Sequence, residues 1–277
     1  MVQQSPGAVK HGVRRGVRHL WINRGGLSCF RRRTDRATIL EESTLIYPQG
    51  SDPIFELLFP MLALLSVWND IDAEDEDRFN AWYHEEHLGE RLAMAGILTA
   101  RRYRCLDKPR AYAALYDTDG LEPLRSPAYL KLLANPTPRT QAIMPRFRNM
   151  VRAACEIHAD HGDAAKKDAA GAVLAVLELR ADGAAPAALK TLEAKAAVLL
   201  AAGGVERFRL AVPDEKATRV PNPEAKLRDK PDEIPAPFVL IEGAAEDAVR
   251  AAAAMLAQAL GAPAPARMYA LMEARSK

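Results

Sequence analysis

Apolar residues along this chain fall into short runs of strand length, separated by stretches of helical period. Met61 to Trp68 (MLALLSVW) is apolar over the length of one strand. Ala73 to Arg91 follows, with Phe79, Trp82, Tyr83, Glu86 and Leu88 in one broad stripe, so the spacing predicts a helix. Asp72, Glu74, Asp75, Glu76 and Asp77 crowd its start, where acids suit the positive end of the helix dipole. Gly96 is a turn residue, and Ile97 to Cys105 and Ala111 to Tyr116 are the next two strands. Pro123 to Leu133 reads as a second helix with Ser126-Pro127 as cap and first-turn proline. Asn135 to Pro145, with three prolines, reads as a polar loop, and Phe147 to Ile157 as a fourth strand.

The same order then returns. His158 to Ala170 is polar and linker-like, with His158 and His161 expected to be solvated. Gly171 to Leu179, Val205 to Val212, Pro237 to Glu242 and Arg267 to Glu273 are strands. Pro186 to Ala201 and Glu246 to Leu260 are helices, and Pro213 to Pro235 is a charged, proline-bearing loop. A repeat of this kind predicts an α+β fold of two tandem ferredoxin-like (βαββαβ) units, residues 61–160 and 171–277. Each four-stranded sheet would carry helices on one face only. Its other face must be covered, and two such sheets in one chain can close an intrachain pseudo-dimeric α+β barrel.

Charge changes this picture at the N-terminus only. Residues 1–60 hold nine Lys/Arg and five Asp/Glu, leaving 29 basic and 31 acidic residues in the remainder. The arginine-rich stretch Val13 to Arg36 has no sustained period, so residues 1–60 are expected to be a mostly disordered basic extension, with Met61 as an alternative start. A transit peptide and a nucleic-acid arm are the other readings of this stretch. The near-neutral body argues against nucleic acid as a partner, and no window approaches the ~20 apolar residues of a membrane span. Cys29, Cys105 and Cys155 lie far apart, in no metal-ligand spacing, and are expected to be free thiols in a reducing cytoplasm. A monomer or a homodimer is compatible with all of this.

The densest set of ionisable and aromatic side chains lies in FNAWYHEEHLGERLAMAGILTARRY, Phe79 to Tyr103. His84 and His87 are three apart on a helix, with Glu86 and Glu90 beside them. His87 is the candidate general base or polar anchor, oriented by Glu86 or Glu90. Pairing of these residues with Arg91, Arg101 or Arg102 at a helix end is the plain alternative. A metal site of His84, His87 and Glu90 is a weak pattern without the HExxH order, so no metal is assigned. Arg101 and Arg102 must point to opposite faces of their strand, one toward helices or rim and one into the barrel. The one beside Tyr103 or Tyr83 could hold a carboxylate or phenolate. Phe79, Trp82 and Tyr83 are expected to be core, with the Tyr83 hydroxyl in need of a partner.

This stretch resembles the dimeric α+β barrel superfamily. Within it the chain is most similar to the ethyl tert-butyl ether degradation (EthD) family and its uncharacterised relatives. They share an aromatic-rich first helix ending in Tyr-x-x-x-His, then a glycine and a strand; here these are Tyr83, His87 and Gly96. SPAYLKLLANPTPRTQAIMPRFRNMVR resembles such relatives too, and the likeness covers residues 61–157. It implies a pocket for a small, often aromatic molecule, handled without a cofactor in several branches, while others bind haem or perform monooxygenation. The site expected from it is His87 supported by Tyr83, Glu86 and Arg102, acting in isomerisation, dehydration or monooxygenation. A non-catalytic ligand-binding or assembly barrel and a haem-binding barrel are the alternatives. Pro186 to Ala201 carries no matching Tyr or His, so the second half would be a structural lid.

Overall fold

The computed structural model describes residues 20–23, 26–29, 62–162, 171–180, 184–228 and 230–277. The chain divides into two compact units, Met1–Glu42 and Ser43–Lys277. In the first, β1 (Leu20–Asn23) and β2 (Gly26–Cys29) form an antiparallel hairpin, with Leu20 opposite Cys29 and Asn23 opposite Gly26. Strand is present here where the aperiodic sequence predicts none. The rest of the expected extension, with Met61, lies outside the described residues.

The second unit holds eight strands closed into a barrel, all neighbours antiparallel: β3 (Ala63–Ile71), β4 (Thr99–Cys105), β5 (Ala111–Thr118), β6 (Phe147–Gly162), β7 (Val173–Glu178), β8 (Val205–Pro213), β9 (Phe238–Gly243) and β10 (Arg267–Ser276). Their order around the barrel is β10-β4-β5-β3-β6-β8-β9-β7, with β7 paired back to β10. A helical run leads from β3 to β4: a 3-10 turn Ala73–Asp75, α1 (Glu76–Trp82), a π-helical turn Tyr83–His87, and α2 (Leu88–Leu92). Between β5 and β6 lie α3 (Pro127–Ala134) and α4 (Pro138–Ile143). In the second half α5 (Ala184–Ala201) joins β7 to β8, the short α6 (Glu215–Thr218) lies between β8 and β9, and α7 (Glu246–Leu260) joins β9 to β10.

Three sequence expectations are corrected. Asn135 to Pro145 is not a plain loop: Thr137 accepts from the Thr140 N–H and Pro138 opens α4, the same cap-and-proline device as Ser126-Pro127 in α3. Pro213 to Pro235 contains α6, capped by Asp214, and a 3-10 turn Pro223–Leu227, capped by Asn222. His158 to Gly162 is not linker but the end of β6, and His161 is buried. The reason is pairing across the halves. β6 pairs with β3 over Phe147–Glu156, then with β8 of the second half over Cys155–Gly162. β10 does the same, pairing first with β7 and then with β4.

Strand period divides the side chains into two layers. Leu64, Trp68, Tyr103, Leu115, Leu240 and Tyr269 fill the barrel, and Trp68 meets Phe238 edge to face at 5.0 Å across the halves. Opposite faces carry two further apolar clusters, one under α1 to α4 and one under α5 and α7. Cys105 and Cys155 are buried free thiols, and burial pushes Cys155 up to about 12. No helix among the described residues is long and apolar enough to cross a membrane.

Arg101 and Arg102 diverge as the period of two requires. Arg101 enters the barrel, where it donates to Asp117 at 2.6 Å and to Glu242 at 2.8 Å. Arg209 donates to the same two carboxylates, closing a ring of two cations and two anions contributed by both halves. Burial alone would raise the Asp117 carboxyl, but Arg101 and Arg209 outweigh it and hold it well below the usual carboxylate range; Glu242 is lowered by the same two cations. The interior is therefore lined by apolar side chains around a charge-balanced ring, while Trp68 Nε1, Tyr103 Oη and the Nε of each ring arginine are left without partners among the described residues.

Arg209→Met leaves two buried carboxylates with one shared cation, and should cost about 3–5 kcal/mol in urea unfolding. Because the folded-state carboxyls titrate below their unfolded values of about 4, the ring's contribution is intact above that pH and lost as pH falls below it; Asp117→Asn should flatten this acid limb. At Gly96 the backbone sits at φ 80°, and a Cβ would lie 2.3 Å from the Pro123 ring. Gly96→Ala should lower stability by more than about 1 kcal/mol, read as a fall in denaturation midpoint at constant m-value.

Candidate functional site

The helical run from Ala73 packs its apolar stripe on the outer face of β3, β4 and β5. Phe79 and Trp82 are fully buried there, as the stripe predicts. The π-helical turn then adds a residue to the local repeat and sets Tyr83 and His87 both inward. His87 stacks on Trp82 at 4.1 Å and meets Tyr83 edge-on at 5.1 Å. Between these residues, the sheet and α3 lies a cavity of about 30 Å³, lined among others by Tyr83, His87, Arg91, Tyr116, Tyr129 and Arg152. A water needs roughly 10–15 Å³ by this measure, so the space admits about two waters. A haem or a whole aromatic ligand enters only if the covering chain moves aside.

The cover comes from the second half. The turn Pro223–Leu227, between β8 and β9, sends Glu224 onto Arg91, whose Nη2 donates to both carboxylate oxygens at 2.8 and 2.9 Å. Glu224 is 5 % exposed and Arg91 3 % exposed, so this is a desolvated pair. Arg228 of the same segment reaches Met144 Sδ at 3.4 Å and is itself held by Asp232. Arg152 on β6 donates to the Thr218 carbonyl at 3.2 Å and to the Tyr129 hydroxyl at 3.4 Å. Glu224, Tyr116, Tyr129 and Arg152 are absent from the sequence-derived site. Tyr129 lies within the second segment of family likeness. Arg152 closes the same segment, whereas Glu224 and Tyr116 carried no local signal.

Electrostatically the site combines neutral polar groups and cations with one carboxylate on its wall, that of Glu224. Burial drives the His87 imidazole well below its ordinary value, and Arg91 and Arg102 add to this, so the ring is neutral at neutral pH. Its Nε2 accepts from Arg91 Nε in a long contact of 3.5 Å, which puts the proton on Nδ1. Nδ1 has no hydrogen-bond partner, and Glu90 stands 3.9 Å away. Burial pushes the Tyr83 phenol up to about 12, and Tyr116 well above the ordinary phenol value. The Tyr116 hydroxyl and Arg91 Nη1 are also buried without partners. His87 in this state is a hydrogen-bond donor, and its lone pair is directed at a cation rather than at the cavity.

The structure brings together only part of the sequence-predicted set. Tyr83 and His87 share the cavity. Glu86 does not orient His87: it accepts from Thr137 at 2.5 Å and from Thr140, tying the helical run to α4. Arg102 faces the helical run but lies beside the cavity, not on its wall. It donates to Asn80 at 2.6 Å and stacks over Tyr83, Phe79 and Tyr112 at 4.2, 4.7 and 4.9 Å. His84 is exposed and lies 3.0 Å from Glu273 on β10, so His84, His87 and Glu90 do not converge as a metal site.

Comparison with known proteins places the fold. The chain matches no family model and no curated protein. It is similar to the crystal structure of an anthrone oxidase-like protein, with 13 % identity, a TM-score of 0.51, and coverage of 78 % of this chain and 93 % of that one. It is similar also to a provisionally assigned monooxygenase from Fusobacterium nucleatum, with 11 % identity, a TM-score of 0.50, and coverage of 79 % and 96 %. At these identities the likeness is one of fold, an α+β chain whose strands close into a barrel.

Proposed function

We propose that this protein is an EthD-like small-molecule barrel protein, acting on a small organic, aromatic-bearing substrate by positioning chemistry without a cofactor. Its chain would comprise two ferredoxin-like units, residues 61–160 and 171–277, with the site in the first. In support, each half shows the strand order 4-1-3-2 of that unit, counted within the half. One observation carries the functional reading: three buried, unpartnered polar atoms, His87 Nδ1, Tyr116 Oη and Arg91 Nη1, belong to side chains on the wall of one cavity. Unpartnered buried donors cost free energy, and a bound acceptor group recovers it. Tyr83 and Tyr129 supply the aromatic wall, while Arg102 and Glu86 brace the helical run behind it.

His87 then serves as a neutral anchor that donates Nδ1–H to a substrate oxygen, in place of the general base that its sequence position suggests. A non-catalytic binding barrel is the second reading, favoured by the small, roofed cavity. The neighbours named above, an anthrone oxidase-like protein and a provisionally assigned monooxygenase, support small-molecule oxidation chemistry as the leading class, and the first of them an aromatic substrate.

The first test is native mass spectrometry of the purified full chain, which should reveal a retained small organic molecule. His87→Ala should weaken its binding about tenfold, the worth of one hydrogen bond of roughly 1.4 kcal/mol, and Tyr116→Phe should do likewise. Turnover of that molecule by wild type and its loss in His87→Ala supports the enzyme; binding without turnover supports the barrel as a binder. A Soret band in the absorption spectrum would replace both with the haem reading. Because His87 protonates only well below its ordinary value, ligand affinity should show no inflection near pH 6.5. An inflection there means that the imidazole is not held as described.

A further inference from the structure

The cavity wall holds three guanidinium groups, on Arg91, Arg152 and Arg228, against a single carboxylate, that of Glu224. Arg228 is answered by Asp232 at 2.5 Å. Arg152 is 5 % exposed and, among the described residues, donates only to the neutral oxygens of Thr218 and Tyr129. Arg91 gives Nη2 to Glu224 and keeps Nη1 unpartnered. The Tyr116 hydroxyl and His87 Nδ1 belong to side chains that line the same cavity and are buried without partners among the described residues, and the hydroxyls of Tyr83 and Tyr129 complete its polar lining from the first half. Buried cations without an anion are costly, and a guanidinium pairs best with a carboxylate in two parallel bonds.

The single anion in this set is not built into the site by the elements that carry the donors. It arrives on the turn Pro223–Leu227, from the far half of the sequence. The chain on either side of that turn is pinned to β6. Thr218 Oγ1 accepts from the Ala154 N–H at 3.0 Å, and Glu233 exchanges backbone hydrogen bonds with Arg152 and Met150 at 2.9 and 3.0 Å. Between these pins the Glu224–Arg91 ion pair and the Arg228–Met144 contact fasten the turn over the cavity. A competing carboxylate on Arg91 would therefore release the turn while leaving both pins in place, and opening the roof enlarges the space for the rest of the ligand.

We propose that Glu224 is a resident carboxylate occupying the seat of a substrate carboxylate, so that the ligand of this cavity is a small aromatic acid which takes Arg91 from it, engages Arg152 and the unpartnered Tyr116 hydroxyl, and lifts the turn Pro223–Leu227. This rests on the small-molecule reading of the same cavity and adds the charge of the ligand and the means of entry. No bond is made or broken in the exchange; one carboxylate replaces another on a guanidinium.

The test is calorimetric titration of the full chain with benzoate, and with benzyl alcohol as its uncharged counterpart. Wild type should bind benzoate, Glu224→Ala should bind it at least tenfold tighter, and benzyl alcohol should bind at least tenfold more weakly than benzoate in both. Arg91→Met should lose the preference for benzoate. Acetate, the size of the side-chain portion removed, should raise the melting temperature of Glu224→Ala saturably. If Glu224→Ala does not fold, Glu224→Gln, which keeps the shape and removes the charge, carries the same expectation for benzoate. Equal benzoate affinity in wild type and in the folded Glu224 variant overturns the proposal, as does benzyl alcohol binding as tightly as benzoate. In that last case a loss of benzyl alcohol affinity in His87→Ala keeps the small-molecule reading while ending this one. Failure of both ligands to bind any folded variant ends both.

Discussion

A four-stranded sheet with helices on one face leaves two things exposed: an apolar opposite face and a pair of edges with unpaired backbone groups. Everything else in this structure depends on resolving both at once. β6 and β10 do so by running past their own half. Each pairs first with a strand of its own half and then with one from the other. Closure leaves no barrel edge open, and the bare faces become a common interior. The interior needs filling as well as enclosing. Tyr103, Leu115, Leu240 and Tyr269 provide apolar packing, while Arg101, Asp117, Arg209 and Glu242 provide a charge-balanced ring. The ring draws members from four strands: each half brings one bonded arginine–carboxylate pair, and two further ion pairs join the halves.

A filled barrel moves the candidate chemistry outward. The cavity lies between the outer face of the first half's sheet and the helical run that crosses it, not in the lumen. Arg101 and Arg102 mark the boundary. Adjacent in sequence, one closes the interior ion ring and the other stacks among Phe79, Tyr83 and Tyr112 behind the cavity. The π-helical turn Tyr83–His87 matters for the same reason. It aims both side chains at the sheet, leaving His84 on the outside against Glu273.

The two halves of the barrel are unequal in use. The first supplies nearly all of the cavity wall and the second its roof, through a turn that an antiparallel barrel needs only as a connection between β8 and β9. Burial then converts an ordinary set of side chains into a specific one. His87 is kept neutral, the phenols are kept protonated, and Arg91 is left with its Nη1 unengaged. Such a wall selects for acceptors, which is a statement about ligand chemistry that composition could not make.

Local pattern in the sequence determined the order of strands and long helices, the turn at Gly96, the cap at Ser126-Pro127, the divergence of Arg101 from Arg102, and the cluster around Tyr83 and His87. These follow from periods of two and 3.6, from the steric needs of glycine and proline, and from capping, all of which act over a few residues. It missed what depends on pairing across long separations: the extension of β6 through His161, the helix inside a proline-bearing loop, and the placement of Glu224 and Arg152 with Arg91. Glu86 and His84 looked like partners of His87 because they are close in sequence, yet helix geometry and the fold gave them to Thr137 and Glu273. Which charges meet in a desolvated space is set by closure of the barrel, since only closure brings residues more than a hundred positions apart within a hydrogen bond of one another.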